Sequence, residues 1–412
     1  MRRIGLYIVI MFISLSARLQ GQTTEAPLPA DSAQWECDLD LAWYDLITRW
    51  QEGSATNIAT CEYSPTDLSD SVLIRRLYTI PSYISLPYNS HVRNAIEVYV
   101  NHRRGLLSRV ISDAGYYFPI FEQKLSAYNL PLELRYLPVI ESGLNSTALS
   151  RVGAAGLWQF MVLTGRSYGL EINSLVDERC DPYKATDAAC RFLRDLYSIY
   201  GDWHLAIAAY NCGPGNVNKA IARSGGKRTF WDIYDFLPRE TRSYLPLFIA
   251  ATYSLNYADE YGIKPALQHE QIKADTVITS ERIHFLQIST ALNIGIETIR
   301  QLNPQYRRDI IPGGKPYPVC LPVERLSDFI ALSDSITKLS SDSLIAQQTK
   351  LSIEGGNNYH GAGQRTTHYK VKKGDTLGYI AKKFHCTVKQ LQKWNNLKTT
   401  NLRIGQSLRI MH

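Results

Sequence analysis

The sequence predicts a multi-domain chain, with an all-α domain followed by two small α+β units, each in the order strand, helix, helix, strand. Three observations carry that reading. Apolar residues recur at three- and four-residue steps through most of residues 91–262. Residues 270–323 and 366–412 repeat one another at a fixed offset. Between them, residues 324–365 become rich in Ser, Gln, Gly and Asn, the composition of a linker. A length of 412 residues also exceeds one ordinary domain.

The chain opens MRRIGLYIVIMFISLSARLQG, with two arginines, an apolar stretch from Ile4 to Leu15, then small and polar residues. Residues 1–21 therefore read as a secretory signal, cleaved after Ala17 or Gly21, because the apolar run is short for a membrane span. An uncleaved anchor is the other reading. The first cysteine, Cys37, follows Trp35 and Glu36, so no lipoprotein cysteine is expected. The chain is read as exported, to the periplasm or cell envelope. Its seven cysteines fit that destination. Cys37 with Cys61, and a pair among Cys180, Cys190 and Cys212, are the candidate bridges, with buried free thiols as the alternative. No Cys-x-x-Cys occurs, so zinc is not expected.

The net charge of +7 is unevenly spread. Residues 366–412 hold ten Lys/Arg and one acid, Asp375, for +9, which leaves −2 elsewhere. A basic terminal unit on an exported chain points to an anionic partner such as cell-wall polymer, or to a merely solvated basic face. Nucleic acid is not expected, since export removes the chain from it.

Residues 22–90 have weak periodicity and read as a partly ordered lead-in. The helical domain spans residues 91–265. VRNAIEVYVNHRRGLLSRVI repeats its apolar residues at helical steps. In DPYKATDAACRFLRDLYSIYG, Asp181 is the N-cap, Pro182 the first helical residue and Gly201 the stop. Ala189, Phe192, Leu193, Leu196 and Tyr200 make its buried face. TRSYLPLFIAATYSLNYADEYG is a further helix. The two terminal units align at a shift of 92, pairing Phe285 with Leu377, Ile288 with Ile380, Leu292 with Phe384 and Ile296 with Val388. The same shift pairs Ile299 with Leu391, Leu302 with Trp394 and Asn303 with Asn395. The first copy has three extra residues before its closing strand and lacks Gly-Asp-Thr.

One residue stands out chemically. PLELRYLPVIES runs apolar up to Glu141 and stops at Gly143, with no basic residue beside the acid in the sequence. At a helix C-terminus the unpaired carbonyls disfavour a negative charge. The preceding apolar run and Trp158 and Phe160 supply desolvation, so the carboxylic acid is expected to stay protonated near neutrality. Glycosidic cleavage needs such an acid, to protonate the leaving oxygen. A surface glutamate closing a helix is the plain alternative.

Four blocks occur in order: Glu141-Ser142, GAAGLWQFM at 153–161, AAYNCGPGNV at 208–217 and PRETRSYLP at 238–246. Together they resemble the catalytic domain of the lytic murein transglycosylases, specifically the membrane-bound D type. The second terminal unit, with YKVKKGDTL, IAKKF, WNNL and IGQSLRI, resembles a LysM module. The resemblance implies a lysozyme-like fold and one catalytic acid, Glu141, cleaving between N-acetylmuramic acid and N-acetylglucosamine and leaving a 1,6-anhydro end. It implies substrate contacts by Ser142, Gln159, Met161, Tyr210, Asn211 and Tyr244, with Tyr210 hydrogen-bonding near the glutamate to orient it. Ser142 equally reads as a local hydrogen-bonding residue, Met161 as packing and Asn211 as a turn anchor. Gly153 and Gly156 would let backbone approach the glycan. The LysM groove would comprise Gly374, Asp375, Thr376, Asn395, Asn396 and Leu397. No metal or organic cofactor is implied, and the partner is peptidoglycan. One departure is Gly143-Leu144-Asn145-Ser146-Thr147-Ala148, where the family turn has an aromatic and a proline. Two other functions stay open. A hydrolase would hold water with a second carboxylate among Asp177, Glu178 and Asp181, and a pure wall-binder would need no acid.

Overall fold

The computed structural model describes residues 68–266, 272–339 and, with short gaps, 366–411. The expected signal at 1–21, the lead-in up to residue 67, and Cys37 and Cys61 lie outside the described residues. Two compact units are present. One holds the described residues up to Phe285 together with Leu292–Ala331, and the other holds Leu286–Ala291 with the residues from Leu332 onward.

The helical domain begins earlier than expected. Helix α1 (Asp70–Thr79) presents Leu73 and Leu77, one turn apart, to the core, where both are buried. Arg76 on the same helix donates to the Tyr261 hydroxyl at 3.0 Å and pairs with Glu260. Residues 68–90 are therefore domain and not lead-in. Helix α2 (Ser90–Glu97) starts at Asn89, whose side chain accepts from the Val92 amide at 3.0 Å. The helical periodicity of residues 92–111 does not make one continuous helix. A π turn at Val98–His102 and a non-helical Arg103 precede α3 (Arg104–Ala127).

Pro138 has no amide to pass a helical ladder through, so a 3-10 turn at Leu132–Tyr136 precedes α4 (Leu137–Ser142). Gly143 ends α4 in the left-handed region, its amide reaching the Val139 carbonyl at 3.1 Å. Then come α5 (Val162–Ser167), α6 (Pro182–Tyr200), α7 (Trp203–Cys212), α8 (Pro214–Arg223) and α9 (Arg239–Asn256). The cap of α6 is as read: the Asp181 carboxylate accepts from the amides of Tyr183 and Lys184, each at 2.9 Å. Helix α9 is buried on all sides from Ser243 to Ser254, and α2, α4 and α7 pack against it. Truncating one of its large core residues, such as Phe248 to Ala, costs about 3–5 kcal/mol.

The first small unit contains β1 (Ala274–Thr279), β2 (Ile283–His284), α10 (Phe285–Leu292), α11 (Ile296–Leu302), β3 (Ile310–Ile311) and β4 (Tyr317–Pro322). Strands β1 and β4 pair antiparallel from Ala274 with Pro322 to Thr279 with Tyr317, as the repeat implied. The short β2–β3 pair is an addition. Beyond β4, α12 (Leu326–Ala331) packs on β1, and α13 (Ser333–Lys338) follows. Phe329 and Ile336 are buried, so residues 324–339 are folded and not linker, while 340–365 lie outside the described residues. The second small unit has β5 (Thr366–Lys370), α14 (Leu377–Lys383), α15 (Val388–Trp394) and β6 (Ser407–Met411), with β5 antiparallel to β6.

Cys180, Cys190, Cys212 and Cys320 are free, so of the two readings for the first three the free thiols hold and the candidate bridge is absent. Burial pushes the thiols of Cys180 and Cys190 up to about 12, which keeps them protonated and inert. Among the described residues no helix is long and apolar enough to cross a membrane.

Candidate active site

Glu141 is the last residue but one of α4, at its carbonyl end, and only 9% exposed. Its Oε1 accepts a 2.5 Å hydrogen bond from the hydroxyl of Tyr244, which α9 carries to it. Tyr210, on α7, donates at 2.8 Å to the carbonyl of Trp158. Burial pushes both phenols well above their ordinary range, so both remain donors. The expected orienting contact to the glutamate is therefore made by Tyr244. Tyr210 instead fixes the backbone at Trp158.

That backbone belongs to the loop 148–161, folded on itself by bridges pairing Leu149 with Ala155 and Ala155 with Phe160. Gln159 sits at φ +47° with its amide nitrogen on the carbonyls of Gly156 at 2.8 Å and Ala148 at 3.3 Å. Its Oε1 is buried with no hydrogen-bond partner. Trp158 is fully buried and its Nε1 donates to Thr186 at 2.9 Å. Met161 closes the loop ahead of α5 and is 44% exposed.

Ser142 is not a substrate contact. It is 0% exposed, and its hydroxyl lies 3.1 Å from the Pro138 carbonyl and 2.9 Å from that of Leu157. It ties α4 to the loop. Asn211 accepts from the Thr241 hydroxyl at 2.8 Å and so links α7 to α9. Leu144, where the family turn has an aromatic, is buried at φ 62°, and the next turn is held by Asn145 accepting from Thr147 N and Oγ1, both at 2.9 Å.

The three carboxylates that could have held a water are engaged elsewhere. Asp181 caps α6. Glu178 pairs with Lys184 and accepts from the Glu171 amide at 2.7 Å. Asp177 makes a two-pronged pair with Arg179, Nε to Oδ1 and Nη2 to Oδ2, both at 2.8 Å. Burial alone would raise the Asp177 carboxyl, but Arg179 and then Arg307 hold it below its ordinary range. Arg179 escaped the sequence reading, although its Nη1 donates to the carbonyls of Gly153 at 2.6 Å and Phe160 at 2.9 Å. An arginine set among three acids in 177–181 is its sequence signal.

In the second small unit the expected glycan residues are largely occupied by the fold. Asp375 accepts from the Lys372 amide at 2.8 Å and the Tyr369 hydroxyl at 2.9 Å. Thr376 caps α14 through the Tyr379 amide at 3.1 Å. Asn395 is not free to hold sugar. Its Nδ2 donates to the carbonyls of Leu391 at 2.9 Å and Arg409 at 2.7 Å, and its Oδ1 accepts from the Arg409 amide at 2.6 Å. Leu397 is half-buried against the unit's core. Gly374 and Asn396 lie outside the described residues. Tyr379, 57% exposed beside Thr376, is an aromatic that the sequence reading passed over.

Family models match the chain in three places: the Transglycosylase SLT domain at residues 118–232, the LysM-like domain of lytic transglycosylase MltD at 273–338, and the LysM domain at 369–410. The chain is 30% identical over 334 residues to membrane-bound lytic murein transglycosylase D of Escherichia coli strain K12, covering 79% of this chain and 70% of that protein. It is 31% identical over 137 residues to the soluble lytic murein transglycosylase of Salmonella typhimurium, covering 32% of this chain and 21% of that one. The N-acetylmuramoyl-L-alanine amidase XlyA of Bacillus subtilis matches 49 residues at 55% identity, 12% of this chain and 16% of that protein.

Proposed function

The chain belongs to the membrane-bound lytic murein transglycosylase D family, and from that premise we propose how its residues carry the reaction. It is a peptidoglycan lytic transglycosylase with LysM modules for wall binding. Glu141 is the single acid and base. As an acid it gives its proton to the oxygen joining N-acetylmuramic acid to N-acetylglucosamine, and the bond from that oxygen to the muramic anomeric carbon breaks. As a base it takes the proton of the muramic 6-hydroxyl while that oxygen bonds to the same carbon. A 1,6-anhydro ring forms, Glu141 regains its proton, and no water is consumed.

The observation that carries this reading is the setting of Glu141. It is nine-tenths buried at the carbonyl end of α4, where charge is disfavoured, with the neutral Tyr244 hydroxyl fixing one oxygen. In this reading Gln159 and Tyr210 serve by shaping the loop 148–161 and Met161 by offering apolar surface to the glycan. The engagement of Asp177, Glu178 and Asp181 favours the internal nucleophile over a hydrolase holding a water. Delivery to the cell envelope by residues 1–21 is part of the same proposal. In the terminal LysM module the face around Thr376 and Tyr379 is the glycan contact.

Mass spectrometry of wall digested with the wild-type protein tests the chemistry, since anhydro ends are one water lighter than reducing ends. Glu141→Gln is expected to abolish release while leaving sedimentation with insoluble wall unchanged. Reducing ends from the wild type, or lytic activity in the variant, would defeat the reading.

A further inference from the structure

We propose that the first LysM-like unit braces the catalytic cleft, with Arg307 as a positioning residue for the loop carrying Gln159. The proposal rests on the assignment of Glu141 and that loop to the cleft.

Within the larger compact unit, segment 175–177 of the helical domain is gripped by the small unit through both main chain and side chain. Val176 and Tyr306 form an antiparallel bridge. The Asp177 amide donates to the Gln305 carbonyl at 2.8 Å, and the Arg307 amide donates to that of Leu175 at 2.7 Å. Arg307 also pairs with Asp177 Oδ2, the oxygen already bonded to Arg179 Nη2. A few residues away, Lys315 pairs with Glu171 at 2.8 Å and the Tyr317 hydroxyl donates to the same carboxylate at 3.2 Å.

The line from Arg307 to the cleft is continuous. Arg307 holds one oxygen of Asp177, and Asp177 holds the guanidinium of Arg179 in its plane. Arg179 binds the Gly153 and Phe160 carbonyls, which bracket the turn bearing Trp158 and Gln159. Arg179 and Asp177 are each about 3% exposed, so the fork is locked in a dry setting where a two-pronged ion pair is directional. Arg307 is half-exposed and touches none of the residues assigned to the reaction. A unit that served only to bind wall would need neither the β-bridge nor a charge placed on a buried carboxylate.

The test uses the full chain, soluble uncross-linked glycan strands as substrate, and four variants. Arg307→Glu sets a like charge against Asp177 and is expected to lower kcat about tenfold with KM little changed, the mark of a displaced cleft wall. Arg307→Lys should recover most of the rate. Glu171→Gln, which loosens the same interface without touching the Asp177–Arg179 fork, should leave kcat unchanged. Each rate is read well below that variant's unfolding midpoint. A wild-type kcat in Arg307→Glu overturns the proposal, as does an equal loss in Glu171→Gln or a loss confined to KM or wall sedimentation. Glu141→Gln run alongside separates the two claims. If it stays active the catalytic reading itself has failed, and if it is dead while Arg307→Glu is normal, only the brace has.

Discussion

Gly156 and the carbonyl of Arg179 occupy nearly the same space: a Cβ on Gly156 would stand 1.8 Å from that oxygen. The sequence suggests that Gly156 lets glycan approach, but the close neighbour is the protein's own backbone. With φ at +81°, a region that side chains disfavour, the position admits glycine alone. Gly156→Ala should destabilise the domain by about 3 kcal/mol. Denaturant unfolding checks this, and a midpoint equal to wild type would show that the loop is not held as described.

Removing the hydroxyl that reaches the acid should act on rate more than on binding. Tyr244→Phe deletes the 2.5 Å bond to Glu141 Oε1 and is expected to cost about tenfold or more in kcat, with KM nearly constant. Tyr210→Phe loosens the Trp158 carbonyl instead and should cost less. Steady-state kinetics on soluble glycan decide the order, and a reversed order would restore Tyr210 as the orienting residue.

Asp113, on α3, supplies a pH signature. Burial raises its carboxyl from 3.8 to about 6, against the opposing charge of Arg109. A raised carboxyl favours the fold while protonated, so the contribution is full below 3.8 and is lost as pH climbs through about 6. Asp113→Asn should therefore be more stable than wild type at pH values above that window, by about 1–3 kcal/mol, and little different below it. Melting curves across the range test the sign.

In the terminal module Asn395→Ala should unfold the module more easily by about 1 kcal/mol, because three hydrogen bonds to backbone groups, partly open to solvent, lose their partner. Asn303 makes the same set in the first unit, to Ile299 O at 2.9 Å, Cys320 O at 2.7 Å and Cys320 N at 2.8 Å. A folded Asn395→Ala variant that loses affinity for wall at unchanged stability would return Asn395 to the glycan site.

What could be read in advance follows the range of the forces involved. The caps at Asp181 and Gly201, the end of α4 at Gly143 and the burial of Ile288, Ile299, Ile380 and Leu391 rest on local rules or periodicity, so the sequence displays them. Burial of Glu141 was not legible that way: a surface glutamate closing the helix fits the same spacing, and only the family resemblance favoured the buried acid. The division of labour between Tyr210 and Tyr244 was not legible either, because it depends on how α7 and α9 approach α4. Asn395 looked like a sugar ligand because an amide suits sugar and backbone equally, and only the closing strand decides between them. Arg307 sits in QYRRD with no local mark. Its partner lies 130 positions away, and pairing over that separation leaves nothing in one sequence to read.

The match to the Transglycosylase SLT domain stops at residue 232, and the hydroxyl that touches the acid belongs to residue 244. A fragment excised to that boundary would keep its acid and forfeit the phenol beside it, together with all of α9 and the greasy axle it provides. Shuffling of such domains between chains has to carry the piece out to Asn256 at least, or it transplants a carboxylate with no one to aim it.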